Sequence, residues 1–378
     1  MDIFNRSYLI ERALGAIVYC LVILLFFFVI GRCRNFKQLK IAFIFYTLIL
    51  TVMAFIYIPE TSVDVTRWYS LGNEWKTISF TEFMKNEVFT SRTPVAYIYV
   101  YLCCMTGIKG FLSGVTALLF YSCTFYLLYI IFKSRKQVEF KNISLVVFFT
   151  MCSGVFLSVI GGIRSALAFS IVLACFYKES IKGRGFIVDI VFLVLACLLH
   201  TAAFVVVAIR YFAFLFANKR IKTWLKIILL VAIGVASIVL LRGYLNEAIS
   251  KFEAYSSETV YFSGKSYIST IVIFVLELII FLSFFSRKSI RLAINYEQRL
   301  FIIAFVALEI LLLFNFVMLA RFGIVLLYLL PLPLIELIEG RKTIGMLKGR
   351  TFAICLSIIC LFLNYTCGDL SAYKFIVL

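Results

Sequence analysis

Five residues join a chemically capable side chain to an unusual setting: Asp64, Arg67, Arg164, His200 and Arg321. Arg164 follows two glycines in Val159-Ile160-Gly161-Gly162-Ile163-Arg164-Ser165. His200, the only histidine, lies in Cys197-Leu198-Leu199-His200-Thr201, and Arg321 interrupts Met318-Leu319-Ala320-Arg321-Phe322-Gly323. Asp64 and Arg67 open a polar segment after an apolar run. A guanidinium keeps its charge at any relevant pH and grips phosphate through two parallel N–H bonds, so paired arginines suit a phosphate or diphosphate. A histidine or aspartate at the same depth is a candidate general base. Each residue also has an ordinary reading: an arginine that snorkels to lipid headgroups, a hydrogen-bonded interfacial histidine, an aspartate capping a loop helix.

The elements that hold these residues are set by composition. Of 378 residues, 63% are apolar and 15% charged, and mean hydropathy is +1.06. Soluble domains carry about 25% charged residues, and no soluble core could hide this much apolar surface. A bilayer core of about 30 Å needs about 20 mostly apolar residues per helical crossing. Runs approaching that length cover 14–31, 40–58, 111–132, 142–160, 163–178, 186–200, 201–217, 225–241, 267–285, 299–319, 321–338 and 351–367. The expected fold is therefore all-α, a polytopic transmembrane bundle of about 12 spans forming one domain over 1–378. The first run reads as a retained span, since no small-residue cleavage site follows it.

A formal net charge of +18 would suggest nucleic acid in a soluble protein. Here the basic residues gather in short loops, as the positive-inside rule describes, so nucleic acid is not expected. Six clusters begin near Arg32, Lys133, Lys178, Arg210, Arg287 and Arg341. From the second onward, two spans separate each cluster from the next, which puts them on one side. The apolar stretch Pro94 to Gly107 disturbs this order if it crosses. Read as a short re-entrant or interfacial helix, it aligns all six clusters on the cytoplasmic side and turns the N-terminus outward. The extracytoplasmic loops are then about 59–110 and 242–266. Asp64, Arg67, Arg164, His200 and Arg321 fall at one outer depth, although depth was not used to select them. The eleven cysteines lie mostly in apolar runs, no CxxC pair exists, and no residue cluster has metal-ligand spacing.

These pieces, in order, resemble the EpsG-like, Wzy-type bacterial polysaccharide polymerases (O-antigen or capsule). The matching segments are Asp64-x-x-Arg67-Trp68-Tyr69, Gly162-Ile163-Arg164-Ser165-Ala166-Leu167-Ala168, Leu199-His200-Thr201-Ala202-Ala203, and Arg321-Phe322-Gly323 before a long apolar run. Ser165 stands where the family often has Gln, and Thr201 where it often has Ser. The resemblance implies a GT-C-like architecture and a glycosyltransferase in the bacterial cytoplasmic membrane, working at its outer face. Its substrate would be undecaprenyl-diphosphate-linked oligosaccharide, its neighbours a flippase and a chain-length regulator, with no metal, cofactor or nucleotide sugar required. Arg164 and Arg321, with Arg67, would bind the diphosphate; His200 is the first base candidate and Asp64 the second.

Two other classes compete. A lipid-linked oligosaccharide flippase or transporter would use the same arginines and would also need charges at mid-membrane, for which Glu277 and Glu309 are the candidates. A membrane O-acyltransferase modifying surface sugars would use His200 as its base.

Overall fold

The computed structural model describes residues 6–57, 64–135, 138–153, 155–183, 186–229, 264–285, 294–314, 316–339, 343–344 and 347–366. They are almost entirely helical, apart from one antiparallel pair of two-residue strands at 343–344 and 347–348. In order the helices are α1 (Arg6–Gly31), α2 (Phe36–Phe55), α3 (Asp64–Trp75), α4 (Phe80–Phe83) running into a π turn, α5 (Pro94–Met105), α6 (Phe111–Lys133), α7 (Phe140–Cys152), α8 (Val155–Gly161), α9 (Ile163–Lys182), α10 (Phe186–Leu199) and α11 (Ala203–Ala217). After the undescribed stretch come α12 (Gly264–Phe285), α13 (Tyr296–Leu311), α14 (Phe316–Leu329), α15 (Pro331–Glu339) and α16 (Gly349–Thr366). Four stretches are long and apolar enough to cross a membrane: Leu14–Gly31, Phe36–Phe55, Phe111–Lys133 and Arg321–Glu339. Shorter apolar helices accompany them. The sequence-derived span 225–241 and loop 242–266 lie almost wholly outside the described residues.

Helix α1 shows why this bundle belongs in lipid. Tyr19, Ile23, Phe26 and Ile30 recur at helical spacing and are buried, while Leu21, Leu25 and Phe28 on the other side are more than half exposed. Both faces are apolar, so the outward one suits hydrocarbon rather than water. Helix α10 repeats the pattern with Ile187, Val191 and Val194 outward.

Inside, α6 and α9 are packed on several sides. Phe125 of α6 stacks on Phe43 of α2 at 4.9 Å between ring centroids, and Phe176 of α9 on Phe301 of α13 at 4.3 Å. The Thr124 hydroxyl donates to the Tyr328 hydroxyl at 3.3 Å, joining α6 to α14.

The described members of the basic clusters gather at one end of the bundle. There Arg135 pairs with Glu336, Arg210 with Glu179, Lys178 with Asp189 at 2.5 Å, and Arg350 with Glu139 at 2.5 Å. The first cluster joins them: Arg32 lines one cavity with Lys141 and Arg350, and Phe36 packs on Tyr129 of α6 and Phe140 of α7. Helix α5 has 12 residues and extends about 18 Å.

Boundaries differ from the sequence reading in two places: the run 142–160 is divided between α7, ending at Cys152, and α8, starting at Val155, and the second lies further along the chain. The break between the last two-span pair falls at the 3-10 turn Leu312–Phe314, not at residue 320. Arg321 therefore sits inside α14, five residues past its start, rather than between helices. Apolar runs on both sides hide such a break, because hydropathy registers length and not backbone geometry. Arg210 lies within α11, as the run 201–217 implied, and is buried against Glu179.

Candidate functional site

At the end of the bundle opposite the basic clusters, α3 lays a polar face against the start of α9. Asp64, Arg67 and Trp68 occupy positions i, i+3 and i+4 of α3 and so share one side of it. Asp64 is the first residue of that helix, where a carboxylate complements the partial positive charge of the free N–H groups. The indole N–H of Trp68 donates to Asp64 Oδ2 at 3.2 Å. Trp68 is itself buried, with its ring against Tyr97 of α5 at 5.6 Å and Trp75 at 6.4 Å.

Arg164 meets this face from α9. Gly161 ends α8, the chain bends at Gly162, and α9 starts at Ile163, which makes Arg164 its second residue. The guanidinium lies over the Trp68 ring, 4.4 Å from its centroid, with Nη2 4.0 Å from Asp64 Oδ2. At 4.0 Å the pair is within electrostatic reach but beyond hydrogen-bond length. With Asp64 40% exposed, such a pair adds only about 0–1 kcal/mol. The Nε–H of Arg164 is buried and has no acceptor among the described residues. The cation is thus positioned by an aromatic face and a nearby carboxylate, with hydrogen-bonding capacity left over.

Arg67 and Arg321 are near enough for their charges to act on Arg164, as do Asp64 and Tyr97. The structure therefore gathers residues from α3, α9 and α14 that are up to 257 positions apart in the chain. Three guanidinium groups and one carboxylate leave a net charge of +2, matching the two negative charges of a diphosphate diester. One carboxylate among three cations is a poor seat for a divalent metal, which needs several oxygen ligands.

His200 reaches α9 at another point. It follows α10, and its ring meets Phe169 edge-on at 6.1 Å; Phe169 in turn stacks on Phe322, the neighbour of Arg321, at 5.7 Å. Phe169 is five residues beyond Arg164 on α9, about 7.5 Å along the axis and about 140° around it. Asp64 and His200 consequently approach different faces of α9. The backbone N–H of Ala202 donates to His200 Nδ1 at 3.2 Å. With Nδ1 accepting, the neutral ring carries its proton on Nε2 and presents a donor there.

Trp68 is the residue that the sequence reading passed over. It was visible as part of the Asp64–Tyr69 segment, and its i+4 spacing from Asp64 was the available signal. Its contact with Arg164 was not, because nothing local links residues 68 and 164.

A protein-family model for the EpsG family matches residues 66–376, a stretch that contains Arg67, Arg164, His200 and Arg321 and starts two residues after Asp64. No curated protein and no solved structure matches the chain.

Proposed function

The chain belongs to the EpsG family of polysaccharide-polymerase-like membrane proteins, and from that premise we propose that it is a glycosyltransferase joining lipid-diphosphate-linked oligosaccharide units at the outer face of the cytoplasmic membrane. In this reading the bundle crosses the bilayer about 12 times with a GT-C-like arrangement, and α3 to α5 form a layer at the outer surface. The observation that carries the proposal is the convergence of Asp64, Arg67, Arg164 and Arg321 at the end of the bundle away from the basic clusters.

The growing chain, carried on undecaprenyl diphosphate, is the donor. A hydroxyl of the incoming lipid-linked unit attacks the anomeric carbon; the new C–O bond forms as the bond to the diphosphate oxygen breaks, and that oxygen leaves with the electron pair. Arg164, Arg321 and Arg67 stabilise the negative charge gathering on the diphosphate. The hydroxyl proton passes to a base, and Asp64 is the better placed candidate, 4.0 Å from Arg164. His200 was the first candidate by residue type, but its Nδ1 already accepts a backbone N–H, which favours a donor role through Nε2. A flippase and a chain-length regulator are the partners this activity calls for.

Arg164→Ala should abolish polymer while the protein still reaches the membrane in normal amount, and Arg164→Lys should recover only a small fraction, since a point charge cannot form the guanidinium fork. Removing one such charge-stabilising group costs about 10²–10³ in rate. The measurement is the ladder of lipid-linked polymer in a deletion strain carrying each variant. Normal chain length in Arg164→Ala would exclude Arg164 from the site.

A transport reading has one observation in its favour: Glu277 of α12 and Glu309 of α13 are buried in the bundle interior. Cells lacking a flippase would hold lipid-linked units facing inward. Cells lacking a polymerase would display single units outside.

A further inference from the structure

The opposite end of the bundle holds a second anion-seeking feature that the polymerase reading does not use. Where α1 ends and α7 and α16 begin, a cavity of about 370 Å³ is lined by Arg32, Lys141 and Arg350 together with Phe28, Leu145 and Ile354. Arg350 has local partners, the Glu139 carboxylate at 2.5 Å and the Asn142 amide oxygen at 2.9 Å. Arg32 and Lys141 are exposed and have no ion-pair partner among the described residues. Three cations against the carboxylates of Glu139 and Glu339, the latter beside Asn142, leave +1 around a cavity whose other walls are apolar. From its rim the exposed side chains Leu21, Leu25 and Phe28 of α1 and Ile354 and Ile358 of α16 continue toward the middle of the bundle.

We propose that this cavity binds an anionic glycerophospholipid of the surrounding leaflet. Its phosphodiester sits among Arg32, Lys141 and Arg350, and an acyl chain follows the apolar track between α1 and α16. Charge complementarity selects the headgroup, since like charges around one cavity repel one another until an anion lies between them. The apolar continuation selects a lipid over a soluble anion, which would leave the Phe28 and Ile354 walls uncovered. Basic pockets between membrane helices on the cytoplasmic side recognise acidic headgroups in this manner. The site is at the far end of the bundle from Arg164, so its existence does not depend on the polymerase assignment.

Native mass spectrometry of the purified full chain in non-ionic detergent provides the test, with phosphatidylglycerol as probe and phosphatidylcholine as the neutral control. Phosphatidylglycerol should be retained in preference. The R32A/K141A variant should bind it roughly thirtyfold more weakly, at about fivefold per cation removed. The K37A/K40A variant, altered at the same end but outside the cavity, should change little. Single Arg32→Ala should give the fivefold loss if the double variant does not fold. Equal retention of the two lipids, an unchanged affinity in R32A/K141A, an equal loss in K37A/K40A, or displacement by inorganic phosphate would each overturn the proposal.

Discussion

Trp68 does two jobs at once, giving a hydrogen bond to Asp64 and a π face to Arg164. Replacements separate them. Trp68→Phe keeps an aromatic face for the cation but removes the N–H donor, and should lower polymer synthesis by about tenfold, the scale of one hydrogen bond to a charged group. Trp68→Ala should lower it further, because a cation–π contact of about 0.5–2 kcal/mol is lost with the packing. Quantified polymer ladders, normalised to protein in the membrane, distinguish the two. His200 offers a second test. If it donates through Nε2, then His200→Gln, whose amide can also donate, should stay within about tenfold of the parent while His200→Ala loses more. A base role predicts equal losses in both variants.

Among the elements, the α2–α6 contact fixes where the outer layer begins. Gly110, which caps α6, has φ +79°, and a Cβ there would strike the backbone oxygen of Phe55. A Cβ on Gly114, one turn later, would run into the Phe55 ring. The helices approach closely because both positions lack side chains. Gly114→Ala should cost about 1–3 kcal/mol, the range for overpacking, read as a lower melting temperature of the purified chain. Phe55→Leu in the same background should return part of the loss. The α8–α9 break has a comparable role for the candidate site, since it makes Arg164 the second residue of a helix and sets it against Trp68. The pair Gly161-Gly162 marked that break in the sequence, whereas the break at Leu312–Phe314 lay inside continuous apolar sequence and left no such mark.

At the scale of the whole molecule, the sidedness of α5 decides whether the two ends of the bundle are chemically distinct. If α5 lies in the outer layer, an epitope tag at Arg92 and another after Lys109 should both be reachable by antibody from outside intact spheroplasts, and one at Arg34 only after permeabilisation. Tags at Arg92 and Lys109 on opposite sides would make α5 a span and put Asp64 and Arg67 on the other face of the membrane from Arg164, against the 4.0 Å approach of Asp64 to Arg164. What the sequence determined by itself was the solvent and the division of charge. Sixty-three per cent apolar residues are incompatible with water whatever the packing, and basic residues between apolar runs sort the loops without any contact being known. The short segments around Asp64, Arg164, His200 and Arg321 also sufficed to indicate the family that matches residues 66–376. Only the tertiary structure decided which of those residues meet. A shared depth limits a residue to a plane, but position within that plane depends on how helices pack and rotate. Packing brought Asp64 and Trp68 to Arg164, brought the charges of Arg67 and Arg321 within reach, and turned His200 toward Phe169 on another face of the same helix.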